Sequence, residues 1–138
     1  MRMRARVQNS LDSHQIALQT NDNLHAIEIA PKSSGFGSSV NGGELLFLAL
    51  ATCYCNDIYR EAAKRGIVVE RVEVTVEGDF AAEGAGATNV TYHATVAAQA
   101  SEEAIRALMQ DTDQVAEIQN TLRAATPVHL GQIEAIPV

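Results

Sequence analysis

Cys53 and Cys55 are the only two cysteines of the chain, and both close the segment NGGELLFLALATCYC that runs from residue 41 to 55. Two thiols in one turn with none elsewhere cannot build a disulfide scaffold, so they point to thiol chemistry. On a helix they lie about 200° apart around the axis and cannot bond to each other without unwinding it. Each therefore needs its own explanation. Cys55 shares a stripe with Leu48, Ala51, Ile58 and Ala62, the stripe of a core residue, where a buried free thiol is common. Cys53 shares its stripe with Asn56, Asp57 and Arg60, a polar face that could meet solvent or a substrate.

A reactive cysteine needs thiolate, and thiolate needs a neighbouring cation or donor. Asp57 would raise the thiol pKa rather than lower it. Arg60 stands roughly 10 Å along the helix axis from Cys53, out of direct contact unless its side chain folds back. An activating group for Cys53 is therefore expected from elsewhere in the fold or from a partner chain. Glu44 follows Asn41 at the spacing of a capping box, in which the acid reaches back to the cap's own amide, and this reading competes with a role in chemistry. Two cysteines at i and i+2 diverge, and His14, His25, His93 and His129 are scattered, so no metal site is expected. No P-loop, dinucleotide fingerprint or Gly-x-Ser-x-Gly occurs, and no cofactor is expected.

The elements that must position these residues follow from periodicity. Residues 41 to 55 read as the start of the main helix, whose opening, Leu45 to Ala51, is apolar all the way round and has to be buried on all sides. Residues 13 to 20 and 24 to 30 read as strands of a hairpin turned at Asn21-Asp22-Asn23, with a further strand at Met3 to Gln8. The Gly/Ser-rich stretch 31 to 43 is the one long loop, either a linker or a segment lining the site. Val72, Val74 and Val76 alternate with polar residues, as do Val90, Tyr92, Ala94 and Val96, which marks two half-buried strands. A helix begins at Ser101, another spans 112 to 123, and Pro127 to Leu130 reads as a closing strand. This order predicts an α+β fold with a mostly antiparallel sheet.

Composition narrows the function. The 138 residues suit a single domain, 1–138, with 46% hydrophobic residues and no Trp. A formal net charge of -7 opposes binding to a polyanionic backbone, so nucleic acid is not an expected partner. No run is long enough to span a bilayer, and the positive start Met-Arg-Met-Arg-Ala-Arg-Val lacks a following apolar run, which predicts a cytoplasmic protein with reduced thiols.

Five features together resemble the OsmC/Ohr family, the osmotically inducible and organic hydroperoxide resistance proteins. They are the Gly/Ser-rich loop, Gly42-Gly43-Glu44-Leu45-Leu46, Ala51-Thr52-Cys53, a helix ending at Lys64-Arg65-Gly66-Ile67, and the strand Val72 to Gly78. The similarity runs from about residue 13 to the C-terminus. It implies an OsmC-like fold, a mostly antiparallel sheet packed on a long central helix, in an intertwined homodimer with thiol sites at the subunit boundary. Peroxidase members use a cysteine on this helix, activated by an arginine from the N-terminal strands and by an acid just before the helix. Cys53 falls on the peroxidatic position, and Glu44 falls one residue past the acid position, where this chain has Gly43. The resolving cysteine of those members corresponds to Ala116, and no arginine lies between Arg6 and Arg60; His14 and Lys32 stand in the vicinity.

The resemblance thus implies an atypical member, with Cys53 and Glu44 as the catalytic candidates and Cys55, Asp57 and His14 as accessory ones. Two functions stay open. One is reduction of organic hydroperoxides by a single peroxidatic cysteine recycled by an external thiol. The other is non-catalytic binding of a small apolar or lipid-like ligand at the dimer interface.

Overall fold

A computed structural model describes residues 1–138, which divide into two compact units, Met1–Leu46 and Phe47–Val138. The boundary falls inside the main helix α1, Gly42–Lys64. All sheet pairing is antiparallel. With the helices this makes an α+β chain, as the alternation of strand and helix periods predicts.

In the first unit, β1 (Met3–Ser10), β2 (Ser13–Thr20) and β3 (Asn23–His25) form a three-stranded sheet in the order β1-β2-β3. Two-residue turns set the register, pairing Ser10 with Ser13 and Thr20 with Asn23. Asp12 at φ 57 and Asn21 at φ 50 supply the left-handed residue in each turn, a conformation their short polar side chains tolerate. The expected strand at 24 to 30 stops at His25, and 26 to 30 pair with no strand. The long loop is folded rather than a free linker: Asn9 bonds both the amide and the carbonyl of Gly37, at 3.0 and 3.1 Å, and Pro31 bridges Ser38. No residue of this unit is fully buried, and β1 is exposed at every position.

In the second unit, β4 (Val68–Asp79) and β5 (Thr88–Gln99) form a long hairpin. Its inward residues Val72, Val74, Tyr92, Ala94 and Val96 pack on Tyr54, Ile58 and Ala62 of α1 and on Leu108 of α2 (Glu102–Val115). Ser101 caps α2 by accepting a bond from the Ala104 amide at 3.1 Å. The expected helix at 112 to 123 is divided differently. Helix α2 continues through Thr112 and Asp113 to Val115, the backbone turns at Ala116 (φ -70, ψ 106), and α3 covers Glu117–Arg123. Thr112 is not a cap, because its hydroxyl donates to the Leu108 carbonyl of its own helix at 2.7 Å. Pro127 to Leu130 form no strand, and Val128 and Leu130 are exposed.

The α2–α3 corner is held by a polar clamp. The Tyr92 hydroxyl donates to Asp113, and the Arg123 guanidinium binds the Asp113 carboxylate at 2.7 Å and its carbonyl at 3.0 Å. Burial pushes the Asp113 carboxyl up, but the bonds from Tyr92 and Arg123 outweigh it and hold the group below its ordinary range. Burial and the nearby Asp113 charge push the Tyr54 hydroxyl up to about 12. Beside it, the Tyr54 and Tyr92 rings lie 4.9 Å apart. No helix is long and apolar enough to cross a membrane.

Two outcomes test this packing. A Cβ at Gly78 would meet Phe47 Cζ at 2.7 Å and Val90 Cγ2 at 3.1 Å. Gly78→Ala is therefore expected to destabilise the protein by about 1–3 kcal/mol in urea denaturation. Asp113→Asn should cost about 1–2 kcal/mol at neutral pH, the Arg123 contact being partly solvent-screened. Because the folded pKa of Asp113 is depressed, its contribution is present above the unfolded carboxylate pKa and lost as pH falls through the folded value. Thermal melts of the two proteins should accordingly converge in acid.

Candidate functional site

Helix α1 begins with a reciprocal cap. The Asn41 amide donates to Glu44 Oε2 at 2.8 Å, and the Glu44 amide donates to Asn41 Oδ1 at 2.9 Å. Glu44 thus performs the capping half of its two sequence readings. His14, also in the first unit, faces the Asn9 amide through Nδ1 at 3.0 Å.

The helix carries its buried stripe on Leu50, Tyr54, Ile58 and Ala62. Of the stripe expected for Cys55, Ile58 and Ala62 are buried, but Cys55 itself is only partly so. Leu48, its expected companion, is 59% exposed, and both thiols are free and partly buried. Of the polar stripe, Asn56 and Arg60 are exposed and Cys53 partly so, whereas Asp57 is only 5% exposed. Its cover comes from α3. The Gln119 side chain donates to the Leu50 carbonyl at 3.0 Å, which seats α3 against α1 just ahead of Cys53. Gln119 pays for this seat in lost hydration, because its buried Oε1 has no partner.

Seating α3 brings Glu117 and the Ile118 amide to the thiol. Cys53 Sγ lies 3.4 Å from Asp57 Oδ2 and 3.9 Å from Glu117 Oε2. Arg60 folds back after all, binding Asp57 Oδ1 at 3.0 Å and Glu117 Oε1 at 2.9 Å, while its Nε binds Glu61 at 2.9 Å. The guanidinium therefore reaches both acids that face the thiol. Cys55 is not in this cluster. Glu117 is the member that sequence reasoning missed, because its proximity depends on the turn at Ala116.

The electrostatics favour the protonated thiol. Burial pushes the Cys53 pKa up, the Ile118 amide pulls it down, and Asp57 and Glu117 push it up further. Asp57 is also raised, chiefly by burial and by Glu117, with the Cys53 bond and Arg60 acting against this. Glu117, at the start of α3, is lowered by its own backbone amide and by Arg60. Of the two acids, Asp57 is the one poised to take a proton.

Ligand-type atoms of Cys53, Asp57 and Glu117 lie within 4.8 Å of one another, a donor set that the sequence reading, which weighed the histidines, did not find. A cation there would compete with Arg60, which already binds both carboxylates. The groove of about 450 Å³ between α2 and β5, lined by Tyr54, Tyr92, Arg106, Met109 and Asp113, does not include Cys53.

A long helix that carries a free thiol, backed by an antiparallel hairpin and flanked by a short helix bearing an acid, defines an α+β thiol protein. The profile of the OsmC-like protein family matches residues 35–131, so the chain belongs to that family. Solved structures agree on the fold. An OsmC-like protein from Mycoplasma pneumoniae superposes with a TM-score of 0.59 at 18% identity, covering 89% of each chain. An organic hydroperoxide resistance protein OsmC from Legionella pneumophila, also described as a predicted redox protein and regulator of sulfide bond formation, gives 0.59 at 20% identity over 89% of this chain and 90% of that one. An OsmC-like protein of unknown function from Vibrio cholerae gives 0.58 at 14% identity over 88% and 93%. A search of curated protein sequences returned no significant match.

Alkylation of Cys53 by iodoacetamide should be slow at neutral pH, with a pH profile displaced above that of an ordinary thiol. Glu117→Gln removes one of the charges that oppose thiolate and should speed the reaction several-fold at pH 8. A profile at or below the ordinary thiol range in the native protein would contradict the site electrostatics.

Proposed function

We propose that this protein reduces organic hydroperoxides with Cys53 as a one-cysteine peroxidase. The observation that carries the reading is the placement of Cys53 on the family's main helix as a partly exposed free thiol, with a backbone amide and a carboxylate directed at its sulfur. The sulfur attacks the distal peroxide oxygen, the O–O bond breaks, and Cys53 becomes a sulfenic acid. Ala116 stands where peroxidase members of the family carry a resolving cysteine, and Cys55 diverges from Cys53 on the helix. An external thiol therefore returns the sulfenic acid to the thiol through a mixed disulfide. The Legionella protein's description as an organic hydroperoxide resistance protein supports the substrate class. The two free thiols suit a reducing, cytoplasmic setting.

The protein acts in this reading as a homodimer. A first unit with no buried residue, an α1 opening with Leu48 59% exposed, and exposed Val128 and Leu130 all require apolar cover, which a second copy supplies. One observation favours the non-catalytic alternative, binding of a small apolar ligand at the dimer seam. Burial, and after it the acids beside Cys53, hold it as a thiol at rest, as a pocket-wall residue would be.

Peroxide consumption measured with several reducing thiols separates the two. Turnover abolished by Cys53→Ser and retained by Cys55→Ser is the expected result; no turnover with any reductant would leave the binding reading. Light scattering at micromolar concentration should report a dimer, with an interface above about 2,000 Å².

A further inference from the structure

We propose that Asp57 is the proton carrier of the Cys53 reaction and that Arg60 is its positioning residue. The inference rests on the reading of Cys53 as the peroxide-reducing thiol and assigns the proton route that such a reaction needs.

A thiol that rests protonated cannot attack until its proton leaves. Asp57 Oδ2 is 3.4 Å from Cys53 Sγ, one helical turn on, and the Asp57 side chain is enclosed by α1 and α3 so that bulk water does not compete for the proton. Its other oxygen, Oδ1, is held at 3.0 Å by Arg60. One carboxylate oxygen thus faces the thiol while its twin is fixed by a cation, the arrangement of a base oriented by a third group. Glu117, on α3, faces the same thiol and the same guanidinium, but its side chain is 64% exposed and its own backbone amide, Asp57 and Arg60 hold it ionised, so it is the weaker proton acceptor. Within Phe47–Val138, no other charged group contacts Cys53 or Asp57.

The S–H proton passes to Asp57 as the sulfur lone pair attacks the distal oxygen of R–O–O–H. The S–O bond forms, the O–O bond breaks, and the sulfur is oxidised by two electrons while the peroxide is reduced. The departing alkoxide takes the proton back from Asp57 and leaves as the alcohol. Cys53 is left as S–OH, and Asp57 is again a carboxylate held by Arg60.

The test compares two reactions of the same folded proteins: single-turnover oxidation of Cys53 by cumene hydroperoxide, and alkylation of Cys53 by iodoacetamide, both followed by mass spectrometry. Asp57→Asn deletes the base but also a negative charge beside the sulfur. Oxidation at pH 7 should fall by about 10²-fold while alkylation holds or rises, a divergence that a structural role would not produce. Oxidation of Asp57→Asn at the native rate, or a parallel fall in both reactions, overturns the proton route and leaves the peroxidase reading standing. Native protein that is alkylated but never oxidised removes the peroxidase reading and the route with it. Should Asp57→Asn lack a cooperative melt, Arg60→Met supplies the answer. Without the guanidinium Asp57 stays protonated to higher pH, so the pH profile of oxidation should move upward, and Arg60→Lys should restore part of it. An unmoved profile overturns the assignment.

Discussion

The seating of α3 across α1 is the contact on which the site depends. Cys53, Asp57 and Arg60 lie on one helix at spacings of about one turn, and alone they would form a solvated polar stripe in which thiol and acid are both screened by water. The turn at Ala116, the Asp113–Arg123–Tyr92 clamp and the Gln119 bond to the Leu50 carbonyl together lay α3 over that stripe. Asp57 then loses its water, Glu117 arrives beside Arg60, and a surface ion pair becomes a part-buried network of two acids, one cation and one thiol. Burial is what turns a commonplace i, i+4 arrangement into a site with displaced proton affinities.

In the proposed reaction, the same contact makes a thiol with raised proton affinity compatible with peroxide reduction. Where a cation faces the sulfur directly, the thiolate is preformed. Here the cation faces the acid instead, and the acid faces the sulfur, so the activating charge acts through one intervening proton. Such a thiol is protected from adventitious alkylation and oxidation at rest, because the nucleophile appears only as its proton moves. The absent resolving cysteine of the peroxidase members, with Ala116 in its place, belongs to the same departure. Arg60 is the cation that binds the acids beside the thiol, and the proposed reaction uses an external thiol for recycling.

Elements governed by local rules were legible in the sequence. The Asn41–Glu44 cap, the Ser101 cap, the turn at Asn21 and the alternation of Val72, Val74 and Val76 each depend on residues within a few positions, and the structure has them where those rules put them. The OsmC-like fold followed from the helix-and-strand block around Cys53. What escaped depends on packing. The break at Ala116 carries no Gly or Pro to announce it, and Thr112 looked like a helix start although its hydroxyl serves α2 internally. Asp57 looked solvated because its cover lies far along the chain, and Glu117 was invisible for the same reason. Pro127 to Leu130 alternate like a strand, yet no edge of this chain pairs with them.

The central claim is that one sulfur, that of Cys53, receives oxygen from peroxide. Treating the native protein with one equivalent of cumene hydroperoxide in the presence of dimedone, then mapping the adduct by peptide mass spectrometry, tests it most directly. Stoichiometric adduct on Cys53 and none on Cys55 is the expected result. Adduct on Cys55, or none on either thiol while the peroxide persists, would contradict it.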